Sequence, residues 1–137
     1  AEHASFGLPE PRVGLLAGAL GVHRLTRQIP LKLAMGMMLT GKRISAQQAL
    51  EYGIVNEVVP AKDLMSAAEK WAAEILECAP LSVRASKQCA LEGLGRPTLA
   101  EAFNAEYSIL NQAQGSEDWV EGPRAFAEKR KPQWKGR

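Results

Sequence analysis

Helix-breaking residues that recur along the chain constrain its fold more than any other feature of its sequence. From residue 20 onward, stretches with apolar residues at helical spacing are closed in turn by glycine or proline. Two capping boxes, Ser45 with Gln48 and Thr98 with Glu101, mark the starts of further helices. The sequence therefore predicts helices over residues 20–29, 31–40, 46–53, 64–79, 83–94, 99–113 and 117–126.

Two short segments have the character of strands instead. They are residues 4–10 and residues 54–59, the second of which is closed by Pro60. Because an unpaired strand leaves its backbone donors and acceptors unmet, residues 4–10 need a partner strand. We expect that partner to come from a further half of the fold or from neighbouring subunits, and we expect an apolar face to lie exposed. The predicted fold class is mostly α with two short β-strands.

Composition excludes several classes of function. The 137 residues carry a net charge of +2, which is too small to indicate a nucleic-acid partner, and no apolar run has the length of a membrane span. His3, His23, Cys78 and Cys89 do not stand at metal-ligand spacing. We expect a cytoplasmic protein, or a mitochondrial one after removal of a presequence, with no metal, no membrane and no nucleic acid.

Five motifs follow one another along the chain in a recognisable order. They are Ser5–Glu10, Gly18–Leu25, Met38–Ala46, Gly53–Val59 and Glu121–Lys131. Their order and spacing closely resemble the second half of the enoyl-CoA hydratase/isomerase (crotonase) family, over essentially the whole chain.

The resemblance implies an architecture and a set of partners. The chain would be the C-terminal half of the crotonase (ClpP/crotonase-like) α/β spiral, with Ala1 just after the family's first carboxylate and its glycine-rich oxyanion loop. Residues 1–60 would complete the core and carry the Glu10 loop, and residues 61–137 would form the helical region for trimerisation and for covering CoA. The implied partners are an acyl-CoA thioester, a missing N-terminal half and identical subunits in a homotrimer or hexamer. No cofactor is implied, since coenzyme A is part of the substrate.

Glu10 is the candidate catalytic residue. Adding water to a 2-enoyl thioester needs a carboxylate to deprotonate water, an acid to protonate the α-carbon, and donors to stabilise the enolate oxygen. The resemblance gives Glu10 the place of the family's second catalytic glutamate. From residue type alone, a glutamate after a proline is more often an exposed turn residue. The resemblance also implies that the Gly18 backbone approaches the water or the thioester, whereas the simpler interpretation is a turn.

The sequence departs from the family pattern near this site. Many relatives carry paired glycines where this chain has Leu20-Gly21, and Pro11 follows the candidate glutamate. The substrate and the exact reaction therefore stay open among hydration, isomerisation, dehydration, decarboxylation and hydrolysis.

The C-terminal segment has five basic residues among the nine from Lys129 to Arg137, with Trp134 between them. One interpretation is a solvated, frayed terminus, and a second is a nucleic-acid contact. The resemblance implies a third, in which Phe126 packs near the adenine of CoA and Lys129 pairs with a CoA phosphate.

Two functions from different classes follow. The first is the C-terminal portion of an enoyl-CoA hydratase-like lyase, in which Glu10, Gly18, Phe126 and Lys129 are the site residues and the isolated chain is inactive. The second is a non-catalytic helical module for oligomerisation or interaction, which the long apolar stripes would serve.

Overall fold

A computed structural model describes residues 1–137, which divide into two compact units, Ala1–Ala68 and Glu69–Arg137. Two strands and eight α-helices form the chain, together with 3₁₀ turns at Glu10–Val13 and Ala61–Asp63. The prediction of a mostly helical chain with two short strands is confirmed. The elements are β1 (Ser5–Phe6), α1 (Gly21–Gln28), α2 (Leu31–Thr40), β2 (Ile44–Ser45), α3 (Ala46–Glu51), α4 (Leu64–Leu76), α5 (Pro80–Gly93), α6 (Leu99–Phe103), α7 (Ser108–Gln114) and α8 (Glu117–Ala127).

The first unit contains a two-stranded antiparallel sheet. Phe6 of β1 lies opposite Ile44 of β2, so two residues of the predicted strand 4–10 pair within the chain, where we expected a partner from outside it. Arg43 fixes this pairing, because its side chain donates to Ser5 Oγ at 2.8 Å and to the Ser5 carbonyl at 2.9 Å. The 3₁₀ turn that begins at Glu10 follows the end of β1 by four residues.

The second predicted strand, residues 54–59, is wrong. The backbone N–H groups of Ile54 and Val55 donate to the Ala49 carbonyl, at 2.8 and 3.3 Å, and so cap the end of α3. Donors used by a helix terminus cannot also build a strand ladder. The second strand is β2 instead, whose Ser45 also begins α3.

Helix α2 has the predicted bounds, and its end is determined by Gly41. The φ of Gly41 is +59°, and its N–H donates to the Met37 carbonyl at 3.0 Å. A Cβ at this position would lie 2.9 Å from Cγ of Arg12. The capping box of α3 is also confirmed, with Ser45 and Gln48 exchanging both hydrogen bonds. The core of this unit lies between these elements and consists of Ile29, Ala34, Met37, Ile44 and Ala49.

The predicted end of the long helix at Pro80 is wrong. Helix α4 ends at Leu76, and Pro80 is instead the first residue of α5. Proline suits that position because its missing N–H would have no helical acceptor there. Ala79 serves as the N-cap, and its carbonyl accepts the N–H of Val83 at 3.0 Å.

The predicted helix over residues 99–113 is divided into α6 and α7. The buried Tyr107 lies in the break and donates its hydroxyl to the Ala102 carbonyl at 2.7 Å. Gln88 of α5 accepts the N–H of Ile109 at 2.9 Å, so a side chain from another helix caps α7. These tertiary bonds replace the helical bonds that a continuous helix would make. Helices α5 and α7 enclose the core of the second unit, Leu81, Ala85 and Ala113.

Large apolar side chains stay exposed on several helices. No residue of α4 is buried, and Met65, Ile75 and Leu76 are at least half exposed. The same holds for Leu99 and Phe103 of α6. This exposure agrees with the expectation of an uncovered apolar face. None of the helices combines the length and the apolar character that crossing a bilayer requires.

Candidate functional site

Glu10 begins the 3₁₀ turn that follows β1 and Pro9. Its backbone is fixed, because the Leu15 N–H donates to the Glu10 carbonyl at 3.0 Å and the Arg12 N–H donates to the Pro9 carbonyl at 2.9 Å. The residue is half-buried, and its carboxylate Oε2 is wholly buried with no hydrogen-bond partner in the chain. An unmet buried acceptor costs about 1–3 kcal/mol, or more when it is charged. Glu10 is therefore not an ordinary exposed turn residue, because one of its carboxylate oxygens is buried without a donor.

An apolar cavity of about 280 Å³ adjoins the Glu10 turn. Leu8 and Pro11, which flank Glu10 on either side in the sequence, contribute to its wall. The lining is entirely apolar and is completed by Leu16, Ala17, Val22, Met35, Met38 and Leu39. A cavity of this chemistry accepts a hydrocarbon group and excludes charged ones.

Gly18 lies in the exposed turn between Glu10 and α1. Its N–H donates to the Leu16 carbonyl at 2.7 Å, and a Cβ added there would make only an ordinary contact, 3.5 Å from Cδ1 of Leu16. Gly21 differs, because a Cβ there would lie 2.9 Å from Cβ of Ala17. Packing therefore requires glycine at position 21 but not at position 18. The contact of the Gly18 backbone with a ligand stays a prediction.

Leu20 has an unusual backbone conformation directly before α1. Its φ is +69°, and its carbonyl accepts the N–H of Arg24 at 2.8 Å at the start of the helix. A left-handed conformation costs a residue with a Cβ about 1–2 kcal/mol. The loop that follows Glu10 thus contains a strained residue.

Phe126 and Lys129 lie at the C-terminal end of α8, in the second unit. Phe126 is 86% exposed. The Lys129 N–H donates to the Phe126 carbonyl at 3.2 Å, and the Arg130 N–H donates to the Ala125 carbonyl at 3.0 Å. This pair of bonds is a Schellman motif, in which the left-handed residue is usually glycine. Here that residue is Lys129, with φ +53°.

Ion pairs bind three of the five basic residues of the C-terminal segment. Arg130 donates through two nitrogens to the two oxygens of Glu121, at 2.6 and 2.9 Å, and through Nε to Glu128 at 2.6 Å. Both Lys135 and Arg137 pair with Glu117. Lys129 and Lys131 stay without an acidic partner, so they are the cations of this segment available to an anionic ligand.

The C-terminal segment is docked against α8, so the interpretation as a frayed terminus is wrong. Buried Asp118 accepts the N–H groups of Lys135 and Gly136, at 2.7 and 2.9 Å. Trp134 donates its indole N–H to the Glu77 carbonyl at 2.8 Å. The Arg130 guanidinium, together with the N–H of Gln133, lowers the pKa of Glu121 from 4.5 to about 2. Hydrogen bonds from Arg130 and then Arg124 also lower the pKa of Glu128.

A cavity of about 580 Å³ lies between α8 and this docked segment. Its walls include Glu117, Asp118, Glu121 and Glu128, whose carboxylates already have the partners given above, and it contains none of the predicted site residues. No cluster of three or more histidine, cysteine or acidic side chains is arranged to hold a metal ion.

Comparison with known proteins identifies the family. A family model described as enoyl-CoA hydratase/isomerase matches residues 1–137. The chain belongs to the enoyl-CoA hydratase/isomerase family. This family membership and the crotonase fold agree with the resemblance drawn from the five motifs.

The relatives of this enoyl-CoA hydratase/isomerase family member are about twice as long as the chain. Carnitinyl-CoA dehydratase from Proteus mirabilis is 40% identical over 144 residues, which cover 99% of this chain and 53% of the relative. The structure of enoyl-CoA hydratase subunit I from Geobacillus kaustophilus superposes with a TM-score of 0.91 at 38% identity, covering 100% of this chain and 53% of the other. Enoyl-CoA hydratase from Bacillus anthracis gives 0.90 at 38% identity, with 99% and 52% covered.

The four predicted site residues fall into two groups. Glu10 and Gly18 share one loop of the first unit, and Phe126 and Lys129 share one helix end of the second. Sequence reasoning did not find the role of Arg130 in organising the helix end. The basic residues from Lys129 onward indicate a candidate anion-binding segment, but only the structure shows which of them are paired with the acids of α8.

Proposed function

We propose that this chain supplies the second catalytic carboxylate and the CoA-binding cation of an enzyme that adds water to a 2-enoyl-CoA thioester. The observation that carries the proposal is the buried, unpartnered Oε2 of Glu10, in a segment whose residues Leu8 and Pro11 line an apolar cavity. An enzyme of this class needs a carboxyl group next to the acyl portion of its substrate. In this proposal the cavity receives that acyl portion.

Glu10 would act on the proton of the substrate α-carbon and on the catalytic water. During hydration its carboxyl group gives a proton to the α-carbon, and during dehydration its carboxylate removes that proton. The first carboxylate and the oxyanion donors would come from the half of the family fold that this chain does not span. Because losing one oxyanion donor typically costs about 10²–10³ in rate, the isolated chain would have little activity.

The end of α8 would bind coenzyme A. Phe126 offers an exposed aromatic ring for the adenine, and Lys129 offers an unpaired ammonium group for a phosphate. Coenzyme A is part of the substrate in this proposal, and no separate cofactor is needed. Residues 1–60 would complete the core, and residues 61–137 would form the helical region that covers CoA.

The exposed apolar helices would serve assembly. Met65, Leu76 and Phe103 are each at least two-thirds exposed, which suits burial between subunits of a homotrimer or hexamer. We place such an assembly in the cytoplasm, in fatty acid or related acyl-CoA metabolism.

Dehydration is a second candidate reaction, favoured by one observation. A relative that is 40% identical over nearly the whole chain is a carnitinyl-CoA dehydratase. Hydration and dehydration are the same reaction in opposite directions, so the role of Glu10 is unchanged. A non-catalytic helical module is the alternative from another class, and it leaves the buried carboxylate of Glu10 without a purpose.

Turnover of a short 2-enoyl-CoA distinguishes the enzyme from the module. The assay uses this chain alone and mixed with the N-terminal half of the Geobacillus kaustophilus relative. Hydration that arises only on mixing supports the proposal. No hydration after mixing, with complex formation shown by size-exclusion chromatography, contradicts it.

Calorimetric titration with coenzyme A tests the binding role of Lys129. A charge-assisted hydrogen bond at an exposed site contributes about 1–2 kcal/mol, so Lys129→Ala should weaken binding by about 5- to 30-fold and reduce its salt dependence. Lys135→Ala is the matched control, because Lys135 is already paired with Glu117. Equal losses in both variants would contradict a specific role for Lys129.

A further inference from the structure

The Arg130 guanidinium donates four hydrogen bonds, three of them to carboxylate oxygens. Its guanidinium holds both oxygens of Glu121, one oxygen of Glu128 and the carbonyl of Lys131. We propose that Arg130 is a positioning residue that holds Lys129 ready for a phosphate group of coenzyme A. This inference rests on the proposed role of Lys129 in binding CoA.

The backbone of Lys129 needs such support. A residue with a Cβ at φ +53° is strained, and it keeps this conformation only where the surroundings determine it. The Schellman bonds fix the helix side of Lys129. On the other side, the fork between Arg130 and Glu121 fixes the chain immediately after Lys129, because Arg130 is its next residue.

Arg130 also pairs with two acids close to the end of α8, Glu121 and Glu128, the second of which it shares with Arg124. Glu128 directly precedes Lys129, and Glu121 lies on the same helix, so either could attract the lysine ammonium if it were unpaired. Arg130 occupies one oxygen of Glu128 and both oxygens of Glu121. Lys129 therefore keeps its charge available for a ligand.

The Glu121→Gln variant distinguishes the positioning of Lys129 by Arg130 from an effect of net charge on CoA binding. Removing a negative charge near a phosphate site should tighten CoA binding if only the net charge matters. If Arg130 positions Lys129, the same variant opens the fork and weakens CoA binding by about three- to tenfold. Glu117→Gln is the matched control, because it removes an equally ion-paired charge from the other end of α8. It should not weaken binding.

A double-mutant cycle tests whether Arg130 acts through Lys129. Coenzyme A binding is measured by calorimetry for the unaltered chain, Arg130→Gln, Lys129→Ala and the double variant. We expect Arg130→Gln to weaken binding about tenfold in the unaltered background and less than twofold in the Lys129→Ala background. An equal loss in both backgrounds would mean that Arg130 contacts the ligand directly, and this would overturn the inference.

The Arg130→Lys variant tests whether the geometry of the fork matters beyond its charge. It keeps the charge but cannot form the two-pronged bond, so it should reproduce most of the loss while the far-ultraviolet circular dichroism stays unchanged. Binding as tight as in the unaltered chain would overturn the inference. If the unaltered chain fails to bind coenzyme A, the proposed function of Lys129 fails and this inference fails with it. If Lys129→Ala weakens binding but Glu121→Gln does not, the inference alone fails.

Discussion

Replacing Lys129 by glycine should raise stability while lowering affinity for coenzyme A. The left-handed conformation at φ +53° costs a lysine about 1–2 kcal/mol. Glycine removes this cost but adds unfolded-state entropy of about 0.5–1 kcal/mol. The net expectation is a gain of about 0.5–1 kcal/mol in the free energy of unfolding. Lys129→Ala keeps the strained conformation, so its stability should change little, although it loses the same ammonium group.

Urea denaturation followed by tryptophan fluorescence measures this difference. The ring of Trp134 lies 3.3 Å from the position of a Cβ at Gly122, and it contributes to the emission together with Trp71 and Trp119. Lys131→Gly is the matched control, because Lys131 has no positive φ and its replacement should destabilise by about 0.5–1 kcal/mol. If Lys129→Gly lowers the free energy of unfolding as much as Lys131→Gly does, the left-handed backbone of Lys129 does not destabilise the chain.

Three other predictions follow from the loop and the ion pairs. Leu20→Gly should raise the free energy of unfolding by about 0.5–1 kcal/mol, because a φ of +69° strains a leucine and this side chain is exposed. Urea denaturation measures this change, and a loss of stability would contradict the prediction. Gly21→Ala should clearly lower the midpoint of thermal unfolding, because the new Cβ would lie 2.9 Å from Cβ of Ala17. Gly18→Ala, which meets no such contact, should leave the midpoint within about a degree or two. Similar shifts in both would refute the role of packing at Gly21. The pKa of Glu121 falls from 4.5 to about 2 on folding, so its stabilising contribution is present above pH 4.5 and is lost as the pH falls towards 2. Glu121→Gln should flatten the pH dependence of stability in that window, and an unchanged acid titration would count against the ion pair.

Local signals in the sequence predicted much of the helical structure. Ser45 with Gln48 gave both bonds of the capping box, and Gly41 ended α2 in the left-handed conformation. These features depend on residues three or four positions apart, which the sequence displays directly. The motif series also predicted a short strand that delivers Glu10 into a turn, and Glu10 begins a 3₁₀ turn four residues after the end of β1. The family comparison agrees with that series.

The errors arose where side-chain and capping bonds that the helical pattern does not display decide the structure. Residues 99–113 form two helices because Gln88, from outside the expected helix, caps α7, and because the Tyr107 hydroxyl within it donates to the Ala102 carbonyl. Ile54 and Val55, at the start of the predicted strand, donate to the end of α3 rather than to a strand. At the candidate site, charge counting revealed the basic C-terminal segment. It could not reveal that Arg130 is occupied by Glu121, because that pair forms only when the segment docks on α8.

In our proposal, Glu10 serves the chemistry of the enzyme rather than the stability of the chain. The most direct test measures turnover and unfolding free energy together for Glu10→Gln, in the chain completed by the N-terminal half of a relative. Glu2→Gln, which alters an exposed carboxylate of the same unit, is the control. We predict that Glu10→Gln lowers the hydration rate by about 10²–10⁴-fold while stability is unchanged or about 1 kcal/mol higher, since a buried unpartnered carboxylate is removed. Hydration within twofold of the unaltered protein, or a loss of rate that only follows a loss of folding, would contradict the claim.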